Sequence, residues 1–209
     1  MGHPHIVLIG FSMGASIVTY YQATAQREEV VAVGSLAHPA SLPDSLRRRW
    51  ERFGADPDYE AVADRAAQIV AAGDHADQIF IVERATGPTQ EPSDAEIWTY
   101  RTLWHSRGPQ AHTAMSRRHV GALRVPLALV QGGDDLIVPV SDGQELERLA
   151  RDGGVPDVRH IVVGGANHVF AGTLDAAIGH LVDWLLEVVV PRVAADASSG
   201  ARHETTPAE

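Results

Sequence analysis

Gly10-Phe11-Ser12-Met13-Gly14 follows the apolar run Ile6-Val7-Leu8-Ile9 and opens a segment, Ala15 to Ala25, that reads as helix. The order is strand, tight turn, helix, with serine at the apex. A serine held on so sharp a turn sits in strained backbone geometry, and side chains at the two flanking glycines are expected to clash with the neighbouring strand and helix. Such a turn lifts the hydroxyl above the sheet edge. It also aims the Met13 amide and the positive end of the following helix at whatever the serine attacks, where negative charge develops in acyl transfer. The competing reading makes Ser12 a small residue in a phosphate- or dinucleotide-binding turn. Against it, the glycine spacing is neither G-x-G-x-x-G nor that of a P-loop, and no Gly-Lys-Ser/Thr follows.

Partner residues decide between the two. Val125-Pro126-Leu127-Ala128-Leu129-Val130-Gln131-Gly132-Gly133-Asp134-Asp135-Leu136-Ile137-Val138-Pro139 is a buried-strand run that breaks into glycines and then acids, as strands of a parallel sheet do when they deliver functional side chains at their C-terminal ends. Asp135, four residues before Pro139, is assigned as an orienting carboxylate, with Asp134 in reserve. An isolated Asp-Asp pair would read as a turn former. His168 stands apart from the other histidines by its address: it lies on a glycine-bearing loop beyond the apolar run Val158 to Val163, before an amphipathic helix beginning near Thr173. Serine at its free pKa is a poor nucleophile. It needs a histidine to take its proton and a carboxylate to fix the histidine tautomer and stabilise the imidazolium.

On Gly10-Phe11-Ser12-Met13-Gly14, Gly132-Gly133-Asp134-Asp135-Leu136-Ile137-Val138-Pro139 and Ala166-Asn167-His168-Val169-Phe170, the chain resembles the α/β-hydrolase family. The resemblance implies Ser12 as nucleophile, Asp135 as acid, His168 as base and the Met13 amide as one oxyanion donor. It implies an α/β class, a partial α/β-hydrolase fold of about four mainly parallel strands with flanking helices and a helical lid insertion. The expected activity is that of a serine hydrolase cleaving ester or thioester bonds of a small, largely apolar substrate through an acyl-enzyme, with no cofactor and no metal. Peptide and carbon-carbon chemistry stay open within the resemblance, whereas a serine nucleophile argues against the epoxide and haloalkane branches.

The resemblance runs from His5 to about Val189, the part of the fold from the nucleophile elbow onward. In the family, further strands, crossover helices and a loop supplying a second oxyanion amide precede the nucleophile strand; here nine residues precede Gly10. This shortfall carries three expectations. The chain is a truncated frame, a fragment or a shortened relative. Its nucleophile strand is a sheet edge, which predicts aggregation or self-association through the strand near Ile6. Loss of one oxyanion donor raises the barrier by about 3 kcal/mol. The alternative function is therefore a catalytically weak or inactive hydrolase-like fragment that binds a ligand or partner.

The 209 residues, 44% of them hydrophobic, suffice for one domain with a core. A net charge of −10 disfavours nucleic acid and anionic membrane surfaces as partners. With no cysteine, disulfides and thiol chemistry are excluded, which fits a cytoplasmic location. No run approaches a membrane span, and no basic segment precedes a long apolar stretch at the N-terminus.

Alternating units organise the chain. Residues 1–190 are read as the hydrolase-like domain, with a lid insertion over about 41–122, and 191–209 as a disordered polar tail. A second strand is expected over Glu29 to Ala37. Within the insertion, Asp58 to Ala72 reads as a helix ending at Gly73, and Gln78 to Val82 as either strand or buried helix. Ser93-Asp94-Ala95-Glu96 reads as a capping box before a helical face of Ile97, Tyr100 and Trp104. Ser141-Asp142-Gly143-Gln144 is a second capping signature. Trp50, Phe53, Phe80, Trp98, Tyr100 and Trp104 could line an apolar pocket, though most are expected to pack the lid helices together. Arg47-Arg48-Arg49 reads as a solvated helix face. His105, His112 and His119 fall seven apart, but Gly108-Pro109 interrupts the helix and no carboxylate cluster accompanies them.

Overall fold

Apolar runs bounded by glycine, proline and polar turns become the strands, and the segments between them the helices. The computed structural model describes residues 5–53, 56–83 and 95–195. Its elements in chain order are β1 (Ile6–Phe11), α1 (Met13–Ala25), β2 (Val30–Leu36), α2 (Leu42–Phe53), α3 (Tyr59–Ala72), β3 (Ile79–Glu83), β4 (Ala95–Thr99), α4 (Tyr100–Arg107), β5 (Leu127–Gly132), α5 (Val140–Asp152), β6 (Val158–Val163) and α6 (Leu174–Trp184). Short 3-10 turns link α4 to β5. The backbone divides into two units, one made of Met1–Pro39 with His119–Glu209 and the other of Ala40–Arg118.

The first unit is built on a four-stranded sheet in the order β1-β2-β5-β6, every pairing parallel. In β5 all six residues are buried, as expected for a central parallel strand covered on both faces. Ala128 and Val130 point to one face, into a core shared with Ala32, Leu36, Val163, Phe170 and, from α6, Ala177, Leu181 and Trp184. Leu127, Leu129 and Gln131 point to the other face by the two-residue period of a strand, where Gly143 of α5 lies against Gln131 and α1 packs at Gly10. Fully burying a side chain such as Leu129 contributes about 2 kcal/mol. Because β1 ends the sheet, its outer side stays open: Ile6, Ile9 and Phe11 are exposed.

The second unit holds α2, α3, α4 and the antiparallel pair β3-β4. Its core gathers Leu46, Trp50, Tyr59, Val62, Tyr100 and Leu103, with Phe80, Trp98 and Trp104 packed against it. The side chain of Phe53 lies outside the described residues.

Three local expectations need correction, and one that was open between two readings is decided. Ala95–Thr99 is a strand rather than the first turn of a helix, because Ile97 and Trp98 pair with Ile81 and Phe80 across the ladder. The helix starts at Tyr100, capped by Thr99, whose hydroxyl accepts from the Thr102 amide at 3.1 Å; Ser93 and Asp94 fall outside the described residues. The ambiguous stretch 78–82 is strand, its period-two alternation placing Val82 inside and Ile79 and Ile81 outside. At α5 the capping position belongs to Pro139, with no side-chain cap, so Ser141 does not cap; the φ of Pro139, −66°, is already set for a helix start. Finally, 191–195 are helical, not tail. The helix passes through a wide π turn over Leu185–Val189 before Pro191, which accommodates the proline ring where an ordinary turn would set it against the carbonyl four residues back. By contrast, α3 starts and ends as read, with Asp58 accepting from Ala61 at its start and Gly73 at φ 83° beyond its end.

Candidate active site

The turn after β1 is held by backbone on both sides. The Ser12 N–H donates to Leu36 O at 2.9 Å, and its carbonyl accepts from Ala15 N at 3.0 Å. Between them the residue takes φ 50°, ψ −118°, a conformation that carries about 1–3 kcal/mol of strain in a non-glycine residue. The two flanking glycines differ. A Cβ on Gly10 would overlap Gly14 O and lie 2.5 Å from Cα and N of Ala15, so the strand can meet the helix here only as glycine. A Cβ on Gly14 would meet nothing within 4 Å, which corrects the expectation that both glycines are sterically required.

His168 connects the other two side chains. Its Nδ1 lies 2.8 Å from Asp135 Oδ2 and its Nε2 3.0 Å from Ser12 Oγ. With Asp135 ionised, Nδ1 carries the proton and donates to the carboxylate, which leaves the Nε2 lone pair to accept from the serine hydroxyl. The Asp135 side chain is fully buried, and its second oxygen is not idle: Oδ1 accepts from Ile137 N at 2.8 Å and Val138 N at 2.9 Å. The carboxylate is thus fixed by its own turn. Asp134, the reserve candidate, is exposed, and its backbone N–H donates to Ala166 O.

Together with a second backbone bond, Gly133 N to Val163 O at 2.8 Å, that bond ties the acid turn to the end of β6 and the histidine loop. The histidine loop is closed in turn by Asn167, whose Oδ1 accepts from Ala171 N and whose carbonyl accepts from Phe170 N. Met13 is the first residue of α1, and that first turn holds no acidic side chain to compete with an anion for the helix N-terminus.

Two contacts could not be read along the chain. The ring of Phe11 lies 5.4 Å from the His168 imidazole, tilted by 44°, and so covers one side of it; its only sequence signal is an apolar residue beside the serine. Gln131, wholly buried at the end of β5, reaches the turn that carries Asp135. Elsewhere, His119 meets Tyr20 edge-on at 5.0 Å. Among the described residues no group of three or more metal-ligating side chains occurs, and no helix is long and apolar enough to cross a membrane.

No protein-family model and no curated protein matches the chain. Its backbone is similar to Est1E from Butyrivibrio proteoclasticus with bound ferulic acid, at 17% identity and a TM-score of 0.58, over 89% of this chain and 60% of that one. It is also similar to the Paleococcus ferrophilus monoacylglycerol lipase, at 14% identity and a TM-score of 0.57, over 87% and 68%. A third likeness is to a Pyrococcus furiosus esterase, at 16% identity and a TM-score of 0.54, over 88% and 55%. The chain therefore spans 55–68% of the length of these three structures. At such identities the likeness is one of fold: the mostly parallel sheet with flanking helices is a partial α/β-hydrolase fold.

Proposed function

We propose that the chain is a serine hydrolase that cleaves carboxylic esters or thioesters of a small, largely apolar substrate. The reading rests on one observation, the unbroken run of hydrogen bonds from Asp135 Oδ2 through both ring nitrogens of His168 to Ser12 Oγ, at 2.8 and 3.0 Å. In the proposed reaction His168 Nε2 takes the Ser12 proton as Oγ bonds to the substrate carbonyl carbon. Negative charge on the carbonyl oxygen is met by the Met13 amide and the N-terminus of α1. His168 then gives its proton to the leaving alcohol or thiol, which departs as the carbonyl re-forms. A water molecule, deprotonated by the same imidazole, attacks the acyl-enzyme; His168 returns that proton to Ser12 Oγ as the acid is released. Asp135 keeps its charge throughout and stabilises the imidazolium. That the similar structures include an esterase and a monoacylglycerol lipase supports ester chemistry.

A fluorophosphonate probe tests this on the intact chain. One equivalent should add to Ser12, read by intact mass, and both Ser12→Ala and heat denaturation should abolish it. A folded wild-type chain that takes up no probe would sink the reading. It would favour the second one, a hydrolase-like fragment that associates through β1, for which the observation is the exposed apolar edge of Ile6, Ile9 and Phe11.

A further inference from the structure

Gln131 is fully buried at the C-terminal end of β5, on the sheet face opposite the one that packs α6. Its side-chain amide donates to two backbone carbonyls, Val138 O and Pro139 O, each at 3.1 Å. Val138 is also the residue whose N–H donates to Asp135 Oδ1. One peptide stretch is thus held from both directions, by the glutamine through its carbonyls and by the aspartate through its amides. The second oxygen of that aspartate then meets His168.

The helix beyond the turn is shaped around the same amide. Gly143 is a glycine inside α5, a placement that weakens a helix by roughly 1 kcal/mol relative to alanine. A Cβ there would overlap both Gln131 Oε1 and His160 Nε2 and lie 3.0 Å from His160 Cδ2. The missing side chain leaves room for the glutamine.

We infer that Gln131 is a positioning residue for Asp135, setting through the 135–139 turn the angle and distance at which the carboxylate meets His168. This rests on the proposed hydrolase reading. No atom of Gln131 need touch substrate for it to control the rate, because a displacement of about 1 Å at a reacting group lowers catalysis on the order of a hundredfold. Removing the donor while keeping the volume takes from the buried Val138 carbonyl its bond to Gln131, whereas Pro139 O keeps the Asp142 N–H at 2.9 Å, and the turn relaxes toward other donors.

The test compares wild type with Gln131→Met, close in shape but without donors, and Gln131→Glu, equal in shape with the amide donor removed. Folding is checked by circular dichroism, and labelling with the fluorophosphonate is followed over probe concentration. We expect the maximal labelling rate to fall tenfold to a hundredfold while the half-saturating concentration stays within about twofold. The downfield proton resonance of the His168 Nδ1–H should shift or broaden in both variants. Folded variants with an unchanged maximal rate and an unchanged resonance overturn the inference and leave the hydrolase reading standing. If wild type itself takes no probe, the hydrolase reading fails, and the resonance alone decides whether Gln131 sets the Asp135–His168 contact. Should both variants fail to fold, Gly143→Ala, which keeps Gln131 but pushes its amide aside, must reproduce the loss of rate. In wild type, moreover, the side-chain amide protons of Gln131 must exchange slowly with solvent; exchange at the rate of a free amide overturns the inference.

Discussion

Adding one methyl group separates the two glycines that flank Ser12. Gly10→Ala forces a Cβ into Gly14 O and the backbone of Ala15, so either strand or helix must move and the serine leaves its position. The expected outcome is a fall in melting temperature together with loss of probe labelling. Gly14→Ala puts its Cβ into open space inside α1. There alanine restricts the unfolded chain and suits the helix, so stability should hold or rise by up to about 1 kcal/mol. Thermal melts of both variants check this, and equal behaviour would refute the steric account. At this scale the sequence picks out the three side chains that the fold brings together, because a serine between glycines, an acid after a strand and a histidine after a strand are legible one at a time. Their contacts are not. Phe11 against His168, and Gln131 against the turn beyond Asp135, join residues whose pairing depends on which strands become neighbours, and no local pattern carries that.

Strand β2 runs on into a buried histidine, and this ties the stability of the element to pH. His38 is wholly buried, and its Nδ1 lies 3.2 Å from the Ser35 hydroxyl. That hydroxyl donates its proton to Ala128 O, so it accepts from His38 Nδ1–H. Burial pushes the imidazole down to about 3 from its ordinary value. Between those two values the unfolded chain binds a proton that the folded chain does not, so stability is lost as pH falls below the ordinary histidine value. The slope from this group is at most about 1.4 kcal/mol per pH unit. Urea midpoints measured from neutral to mildly acidic pH should fall along it, and His38→Gln should flatten the curve. A wild-type curve with no such slope would show that the group titrates freely. Elements of this kind were legible where apolar runs meet glycine or proline, as at β2, β5 and α3. They were misread where capping signals stood alone. Ser93 to Glu96 and Ser141 to Gln144 each carry the capping pattern, yet the ladder with β3 claims Ala95 and Glu96 of the first and Pro139 begins the helix in the second.

Across the molecule, the alternation of strand and helix signals announced a parallel sheet, and the outer strand was legible as an edge. Six residues, Ile6–Phe11, carry no charge and no proline, the usual guards of an open edge. Helix α6 and its continuation add an exposed stripe of Leu174, Ile178, Val182, Leu186 and Val190 at four-residue spacing. Apolar surface of this extent favours association. Ile9→Lys places a charge on the edge at a residue 51% exposed. It should shift sedimentation velocity profiles toward the monomer at concentrations where wild type associates, while the melting temperature changes little; profiles that superimpose would remove β1 from the contact.

The bond between Ser12 and His168 joins residues 156 positions apart. Closing so long a loop is entropically costly and contributes to a high contact order, so this topology slows folding. On the ribosome, the serine emerges first and the histidine long afterwards. On the proposed hydrolase reading every incomplete chain carries an unactivated hydroxyl, and probe labelling is expected to report that both ends of the sheet have met.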